Sequence, residues 1–225
     1  FDARRNIETN YWGVTSLALA NFDNATGLDV AVASRNIIGA ILYAARWYEN
    51  DGAPIDGGWN AVNIVSWSFA ANRQVGAVDV DGDLDSDVVL AESWRIFSDE
   101  YIQLYQNDGT PEGSGWTRIA VDNGESGARG VGAAKVDGDA DIDLLGIGLR
   151  GKVEWYENDG TPFSGSWPIH AVTSSFGGET ITAGDLDGDG DSEIVAASSG
   201  GDKIAYGENL GGGRVSGTFV IDFGA

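Results

Sequence analysis

Acidic residues alternate with other residues in two short segments, and this spacing suits a calcium ion. The segments run Asp79, Asp81, Asp83, Asp85 and Asp87, and Asp185, Asp187, Asp189, Asp191 and Glu193. Calcium binds roughly six to eight oxygen atoms, and alternate residues of a tight loop can direct their oxygens to one point. We predict carboxylate ligands at every position except Asp85 and Asp191, which would contribute their backbone carbonyls. Without a cation, carboxylates this close together would repel one another.

Two related segments depart from this pattern. The third contains Asp137, Asp139, Asp141 and Asp143 but begins with Lys135 in place of an acid. The Lys135 ammonium either replaces the ion with its own charge or points away from a weaker metal site. The first segment has Asn21, Asp23, Ala25 and Asp29 at the ligand positions. We expect this first segment to bind no ion tightly.

The acidic segments belong to four internal repeats of about 50–58 residues. Asp23, Asp81, Asp137 and Asp187 hold equivalent positions. A second landmark is a four-residue segment that ends in Asn and recurs once in each repeat. It lies at residues 47–50, 104–107, 155–158 and 206–209. An aromatic residue follows nine positions after the first three of these Asn residues, at Trp59, Trp116 and Trp167, and ten after the last, at Phe219. Repeats of this length indicate an array of similar structural units.

The pattern within each repeat predicts β-strands. Short apolar runs precede and follow every acidic loop, and such runs suit strands that are buried on both faces. A third strand ends at the Asn landmark, and a fourth begins at the aromatic residue. A sheet of four strands per repeat is typical of a β-propeller blade. We predict an all-β fold, a propeller of four four-stranded blades with the acidic loops between first and second strands.

We expect one domain over residues 1–225, with blades at about 10–66, 67–122, 123–174 and 175–225. Residues 1–9 resemble a fourth strand without a blade of its own. Three alternatives follow for this spare outer strand. It closes a four-bladed ring against the last blade, belongs to a blade of a longer polypeptide, or pairs with a neighbouring copy, since an unpaired edge accepts further strands.

The acidic loops and the Asn landmarks resemble the FG-GAP/VCBS repeat family, whose best-known members are the propellers of integrin α-subunits. The resemblance covers essentially the whole chain. It implies that the loops bind calcium and stiffen the blades, and that ligands are met on the opposite face. The chain lacks clear Phe-Gly and Gly-Ala-Pro signatures, which places it closer to the VCBS branch. It also has four repeats where propellers of the family commonly have seven.

Composition excludes several classes of partner and site. The formal net charge is −22, so nucleic acids and anionic membranes would be repelled. No apolar run approaches the roughly 18 residues of a membrane span, and the chain has no Cys for disulfides or thiolate sites. We expect an extracellular protein, secreted or at the cell surface, stabilised by metal. The single sequon, at Asn24, is a predicted glycosylation site.

No arrangement typical of catalysis stands out, and the sequence therefore predicts that the chain is not an enzyme. His170 is the only His and is interpreted as structural. Trp12, Trp67 and Trp94 do not recur with the repeats and are candidates for an exposed sugar-binding platform. The predicted function is a binding or adhesion propeller that recognises protein or glycan. Two alternatives are a structural subunit that assembles into a filament or lattice through its N-terminal strand, and an accessory domain of a secreted carbohydrate-active enzyme.

Overall fold

The described residues form sixteen β-strands. The computed structural model describes residues 6–11, 13–35, 43–54, 58–66, 70–94, 100–113, 116–122, 128–148, 151–199 and 201–222. Within these ranges there is no helix, and hence no apolar helix that could cross a membrane. The predicted all-β fold is therefore confirmed.

Four sheets follow one another along the chain. Sheet 1 comprises β1 (Val14–Ala20), β2 (Asp29–Ser34), β3 (Tyr43–Glu49) and β4 (Asn60–Ser66). Sheet 2 comprises β5 (Ala70–Val78), β6 (Asp87–Trp94), β7 (Glu100–Asn107) and β8 (Trp116–Asp122). Sheet 3 comprises β9 (Ala128–Ala134), β10 (Asp143–Gly148), β11 (Val153–Tyr156) and β12 (Ile169–Thr173). Sheet 4 comprises β13 (Thr180–Gly184), β14 (Glu193–Ser198), β15 (Lys203–Asn209) and β16 (Val215–Asp222).

Each sheet is an antiparallel meander in which neighbours in sequence are neighbours in space. Two of the second strands, β2 and β10, are buried at every position, as the short apolar runs after the acidic loops predict. Each acidic loop is the connection between the first two strands of its sheet. All four loops therefore hold the same place in their sheets.

Apolar side chains fill the spaces between consecutive sheets. One core lies between sheets 1 and 2, with Trp47 from β3 and Leu90 from β6 fully buried in it. Two further cores lie between sheets 2 and 3 and between sheets 3 and 4. Close approach at the last interface requires Gly130, because an added Cβ would lie 3.0 Å from the Cα of Thr180. Among the described residues, no interface of this extent joins sheet 4 to sheet 1.

The predicted spare outer strand, residues 1–9, lies only partly within the described residues. Residues 6–9 belong to no strand, and residues 1–5 lie outside the described ranges. At the other end, Phe219 lies in β16, opposite Tyr206 of β15. Closure of the ring by residues 1–9 and the blade boundaries both stay predictions.

Candidate metal-binding loops and an adjacent cleft

The second acidic loop brings three carboxylates together at the end of sheet 2. Oxygens of Asp79, Asp81 and Asp87 all lie within 4.8 Å of one another. Asp79 also organises the turn, because its carboxylate accepts the backbone N–H groups of Gly82 at 2.8 Å and Leu84 at 3.0 Å. Burial, and then the negative charge of Asp83, raise the pKa of Asp81. The loop thus groups three carboxylates, and carboxylate oxygens are the kind of ligand that calcium prefers.

The fourth acidic loop repeats this geometry with a longer final acid. Oxygens of Asp185, Asp187 and Glu193 lie within 4.8 Å of one another. The Asp185 carboxylate accepts the backbone N–H of Gly188 at 2.7 Å and that of Gly190 at 3.2 Å. The chain turns with positive φ at both glycines, a conformation that costs them little. The loop is therefore shaped by the same first acid as in sheet 2.

The acid that ends each loop also fastens the loop to its own sheet. Asp87 is fully buried, and its carboxylate accepts the backbone N–H groups of Val80 at 3.0 Å and Asn107 at 2.9 Å. Burial raises the pKa of Asp87 to about 7 in spite of these bonds. The same pair of hydrogen bonds is made by the buried acids Asp29, Asp143 and Glu193. A carboxylate that joins a loop to a strand explains why the position is acidic even in the incomplete first loop.

The middle acids of the two complete loops lie outside the close groups of three. The Asp83 carboxylate accepts the N–H of Asp85, and the Asp189 carboxylate accepts that of Asp191, at 2.9 and 3.0 Å. The Asp85 carboxylate also accepts a hydrogen bond from the side-chain amide of Asn24. Asn24 is exposed and has a positive φ, and its predicted glycosylation stays a prediction.

The third loop retains Asp143, the acid that joins the loop to its sheet, but its carboxylates are not grouped as in the second and fourth loops. Lys135 is exposed, and among the described residues Asp137, Asp139 and Asp143 do not form a close group of three. The Asp137 carboxylate accepts the N–H of Asp139 at 3.1 Å, and the Asp139 carboxylate accepts that of Asp141 at 2.8 Å. Burial raises the pKa of Asp143 to about 6. The third loop therefore lacks the first acid, which shapes the turn in the second and fourth.

The first loop contributes to an acidic group that the loop pattern alone does not contain. Oxygens of Asp23, Glu49 and Glu112 lie within 4.8 Å of one another. Glu49 ends β3 in sheet 1, whereas Glu112 lies in the turn between β7 and β8 of sheet 2. In the sequence, Glu49 is recognisable as the acid directly before Asn50. No regular spacing connects Glu49 with Glu112, so the sequence alone does not predict this group.

The Asn landmarks join neighbouring sheets. The side-chain amide of Asn107 donates to the carbonyl of Phe22 in sheet 1 at 2.7 Å. Asn158 donates in the same way to Val80 in sheet 2 at 3.0 Å, and Asn209 to Val136 in sheet 3 at 2.6 Å. Each amide also donates to its own loop, at the carbonyls of Ser86, Ile142 and Ser192. Every acidic loop in sheets 1 to 3 is therefore held by the sheet that follows.

An open cleft of about 620 Å³ lies beside the first acidic group. It is lined by β4 residues 60–64 and, across from them, by Glu112, Gly113 and Trp116 of sheet 2. β4 is an edge strand, so its outer backbone groups have no partner strand among the described residues. The Asn60 amide donates to the Glu49 carboxylate at 3.2 Å, which connects the cleft to the acidic group.

The recurring aromatic residues mostly serve packing. Trp47, Trp155 and Trp167 are buried, and Trp116 contacts Phe22 edge-on with ring centres 6.1 Å apart. The His170 ring stacks on Trp155 at 4.1 Å and lies 2.7 Å from the Glu157 carboxylate. Of the predicted platform, Trp12 and Trp67 and the side chain of Trp94 lie outside the described residues.

Comparison with known proteins gives a family and two similar folds. A family model described as an FG-GAP-like repeat matches residues 79–146 and 135–196. No curated protein matches the sequence. The catalytic domain of a GH62 α-L-arabinofuranosidase from Coprinopsis cinerea is similar, with 12% identity and a TM-score of 0.57 over 92% of this chain and 68% of that one. The fucose-specific lectin of Aleuria aurantia has 16% identity and a TM-score of 0.54, over 92% of this chain and 61% of the lectin.

These similarities correct one prediction from the sequence. We expected that the chain is not an enzyme, because no catalytic arrangement stood out. A propeller-like fold similar to this one forms the catalytic domain of a glycoside hydrolase, which contradicts that expectation. The sequence argument failed because pairs of acids suited to glycoside hydrolysis carry no distinctive spacing in a chain with 35 acidic residues. Self-assembly through residues 1–9 gains no support from the comparisons.

Proposed function

Since the chain belongs to the FG-GAP-like repeat family, we propose that it is an extracellular, calcium-stabilised propeller domain that binds carbohydrate. In this proposal its four sheets are the blades of one domain. It serves as an accessory to a carbohydrate-active enzyme, a role favoured over general adhesion by the two similar folds. One belongs to an arabinofuranosidase and the other to a fucose-specific lectin, and both names concern sugars.

The cleft between sheets 1 and 2 is the observation that carries the proposal. Its volume of about 620 Å³ falls within the range of small-molecule sites, roughly 300–1,000 Å³. The side chains of Asn60, Glu112 and Trp116 offer an amide, a carboxylate and an indole face, and the edge of β4 offers backbone donors and acceptors. Sugars bind through this combination, because hydroxyl groups need directional partners and the ring C–H groups pack on aromatic faces.

We assign calcium to the second and fourth loops. Asp79, Asp81 and Asp87 would hold one ion and Asp185, Asp187 and Glu193 another, with Asp83, Asp85, Asp189 and Asp191 completing the ligand sets. Calcium would supply positive charge that neutralises the converging carboxylates. Asp137, Asp139, Asp141 and Asp143 form a weaker site in this proposal. A glycan on Asn24 would replace one amide hydrogen at the surface of the first loop.

Binding of defined oligosaccharides tests the proposal. Oligosaccharides that contain L-arabinose and others that contain L-fucose are titrated calorimetrically into the chain in millimolar calcium. We expect at least one series to bind. Loss of a hydrogen bond costs about 1–1.5 kcal/mol, so Asn60→Ala and Glu112→Gln should each weaken binding roughly tenfold.

The control is Thr117→Ala. Thr117 follows Trp116 as Asn60 follows Trp59, so it holds the equivalent position in the outer strand of sheet 2. This variant should bind as tightly as the parent chain. Absence of binding to both series, or equal binding by the Asn60 and Glu112 variants, would contradict the assignment of the cleft.

A further inference from the structure

Each internal interface buries the same position of the first strand. Val75 of β5 is 3% exposed, Val131 of β9 is 2% exposed and Ile181 of β13 is 3% exposed. Each of these side chains lies on the face that its sheet turns toward the preceding sheet. The preceding sheet therefore keeps water from this position in sheets 2, 3 and 4.

In sheet 1 the equivalent position is exposed, and no described residue covers it. Leu17 of β1 corresponds to Val75, yet it is 62% exposed, and Leu19 beside it is 57% exposed. Leu17 pairs with Val32 and Leu19 with Val30, so all four side chains lie on one face of the sheet. Tyr11 and Trp59 pack against the cluster of Val30, Val32 and Tyr48. The β2 and β3 part of this face is therefore covered, whereas Leu17 and Leu19 of β1 are exposed.

Sheet 4 presents the complementary face, which is also exposed within the part of the chain that the structure describes. Phe22, Val80 and Val136, just after the first strands of sheets 1, 2 and 3, are 0%, 3% and 0% exposed because the following sheet covers them. The fourth residue of this set, Leu186, is 61% exposed. Ile204 lies on β15 and is 38% exposed. Among the described residues, sheets 1 and 4 thus present two apolar faces of the kinds that meet at the three interfaces between consecutive sheets.

The Asn side-chain hydrogen bonds that join consecutive sheets are also missing, among the described residues, at the outer faces of sheets 1 and 4. Asn107, Asn158 and Asn209 donate to the carbonyls of Phe22, Val80 and Val136 across the three interfaces. Asn50 is the fourth member of this set, and within the described residues its amide donates only to Leu28 of its own loop, at 3.1 Å. No described residue donates to the carbonyl of Leu186. One donor in sheet 1 and one acceptor in sheet 4 therefore match the same interface.

We propose that sheet 4 of one copy of this chain docks on sheet 1 of a second copy, head to tail. Leu186 and Ile204 of one copy cover Leu17 and Leu19 of the other, and Asn50 donates to the Leu186 carbonyl. Contacts of this kind are heterologous, so they produce rings where the rotation closes and open chains where it does not. The inference rests on the sheet faces alone and is independent of carbohydrate or calcium binding.

The mass in solution, measured by light scattering over a range of concentrations, tests the docking. Salt at about 0.15 M is included because it screens the repulsion between copies of charge −22. The parent chain should rise from 23.6 kDa to at least twice that mass. Leu17→Asp and Leu186→Asp each place a charge on one of the two faces, and each variant should stay at the monomer mass.

Mixing the two variants identifies the arrangement. Leu17→Asp retains an intact sheet 4 face and Leu186→Asp an intact sheet 1 face, so their mixture should form a one-to-one dimer and nothing larger. Leu210→Asp is the control, because Leu210 is 53% exposed but lies in a turn where the other repeats carry Asp. That variant should associate like the parent chain.

Three results would overturn the proposal. They are a constant monomer mass of the parent chain, dimers of either face variant alone, and a mixture that stays monomeric. Circular dichroism establishes that the variants are folded. If either variant is unfolded, Leu19→Asp and Ile204→Asp, which alter the same two faces, take its place.

Discussion

At the scale of single residues, the carboxylate that ends each acidic loop is subject to two opposing effects. Its hydrogen bonds to backbone N–H groups favour the ionised form, whereas its burial disfavours that form. Asp87 accepts two backbone N–H groups, and this fastens the loop to β7. Its burial opposes ionisation and raises its pKa to about 7. A cation beside the carboxylate would favour the ionised form and would therefore lower the pKa of Asp87.

The pKa of Asp87 predicts how the stability of the metal-free protein depends on pH. The unfolded value is about 3.9, so the folded state binds the proton more strongly. The resulting stabilisation is fully present below pH 4 and is lost as the pH rises through about 7. The free energy of unfolding in urea with a chelator should therefore be higher at pH 5 than at pH 8, by on the order of 2–4 kcal/mol.

Salt and calcium separate this effect from repulsion across the acidic surface. In about 0.5 M KCl the exposed charges are screened, whereas a buried carboxyl is screened much less, so the difference between pH 5 and pH 8 should persist. Millimolar calcium should reduce it. A metal-free protein that is more stable at pH 8 than at pH 5 would contradict the role given to Asp87.

At the scale of the elements, the loops differ in their first residue more than in any other. Asp79 and Asp185 accept N–H groups from the turn that follows, and this holds the loop in a compact form. Lys135 has no acceptor to offer to its turn. The third loop thus retains four of the five acids but lacks the one whose side chain arranges the turn.

The variant Lys135→Asp should create a calcium site in the third loop. The new carboxylate can accept the N–H groups of the turn, as Asp79 does, and it removes a positive charge from the site. Calorimetric titration should count one more tightly bound calcium ion than in the parent chain. Lys203→Asp makes the same change of charge on β15 and should leave the count unchanged. An unchanged count in Lys135→Asp would show that the first residue does not decide binding.

The sequence predicted the elements well because their pattern is local. Alternating acids, the Asn landmark and the apolar runs each lie within about ten residues, and the four sheets carry them at the predicted places. The group of Asp23, Glu49 and Glu112 was missed because its members come from two sheets and no local pattern connects them. The inter-sheet bonds of the Asn landmarks were missed for the same reason, since spacing alone does not name an acceptor such as Phe22.

At the scale of the whole molecule, consecutive sheets depend on one another through apolar cores and one repeated hydrogen bond. Stability in such stacked arrays is approximately a sum of unit terms and nearest-neighbour terms. Substitutions of the Asn landmarks can measure how much the hydrogen bond between neighbouring sheets contributes to the free energy of unfolding. The Asn158 amide donates within sheet 3 and to sheet 2, whereas the Asn50 amide donates, among the described residues, only within sheet 1.

Asn158→Ala should destabilise the chain more than Asn50→Ala does. Both changes remove equivalent bonds within a sheet, at Gly160 and Ile142 in one case and at Gly52 and Leu28 in the other. Only Asn158→Ala also leaves the buried carbonyl of Val80 without its donor, which costs about 1–3 kcal/mol more. Urea denaturation at a concentration where the chain is monomeric measures both free energies. Equal losses would contradict the role of the inter-sheet bond.

The inter-sheet bond also has a direction, since the donor always lies in the later sheet and the acceptor in the earlier one. During synthesis, the acidic loop of each sheet therefore emerges before the residue that completes it. The loop of the most recently made sheet therefore lacks its Asn donor, and the next sheet supplies that donor when it folds. We therefore expect the stack to assemble from the N-terminus toward the C-terminus, and the backbone amides of the most recently made loop to exchange fastest with solvent.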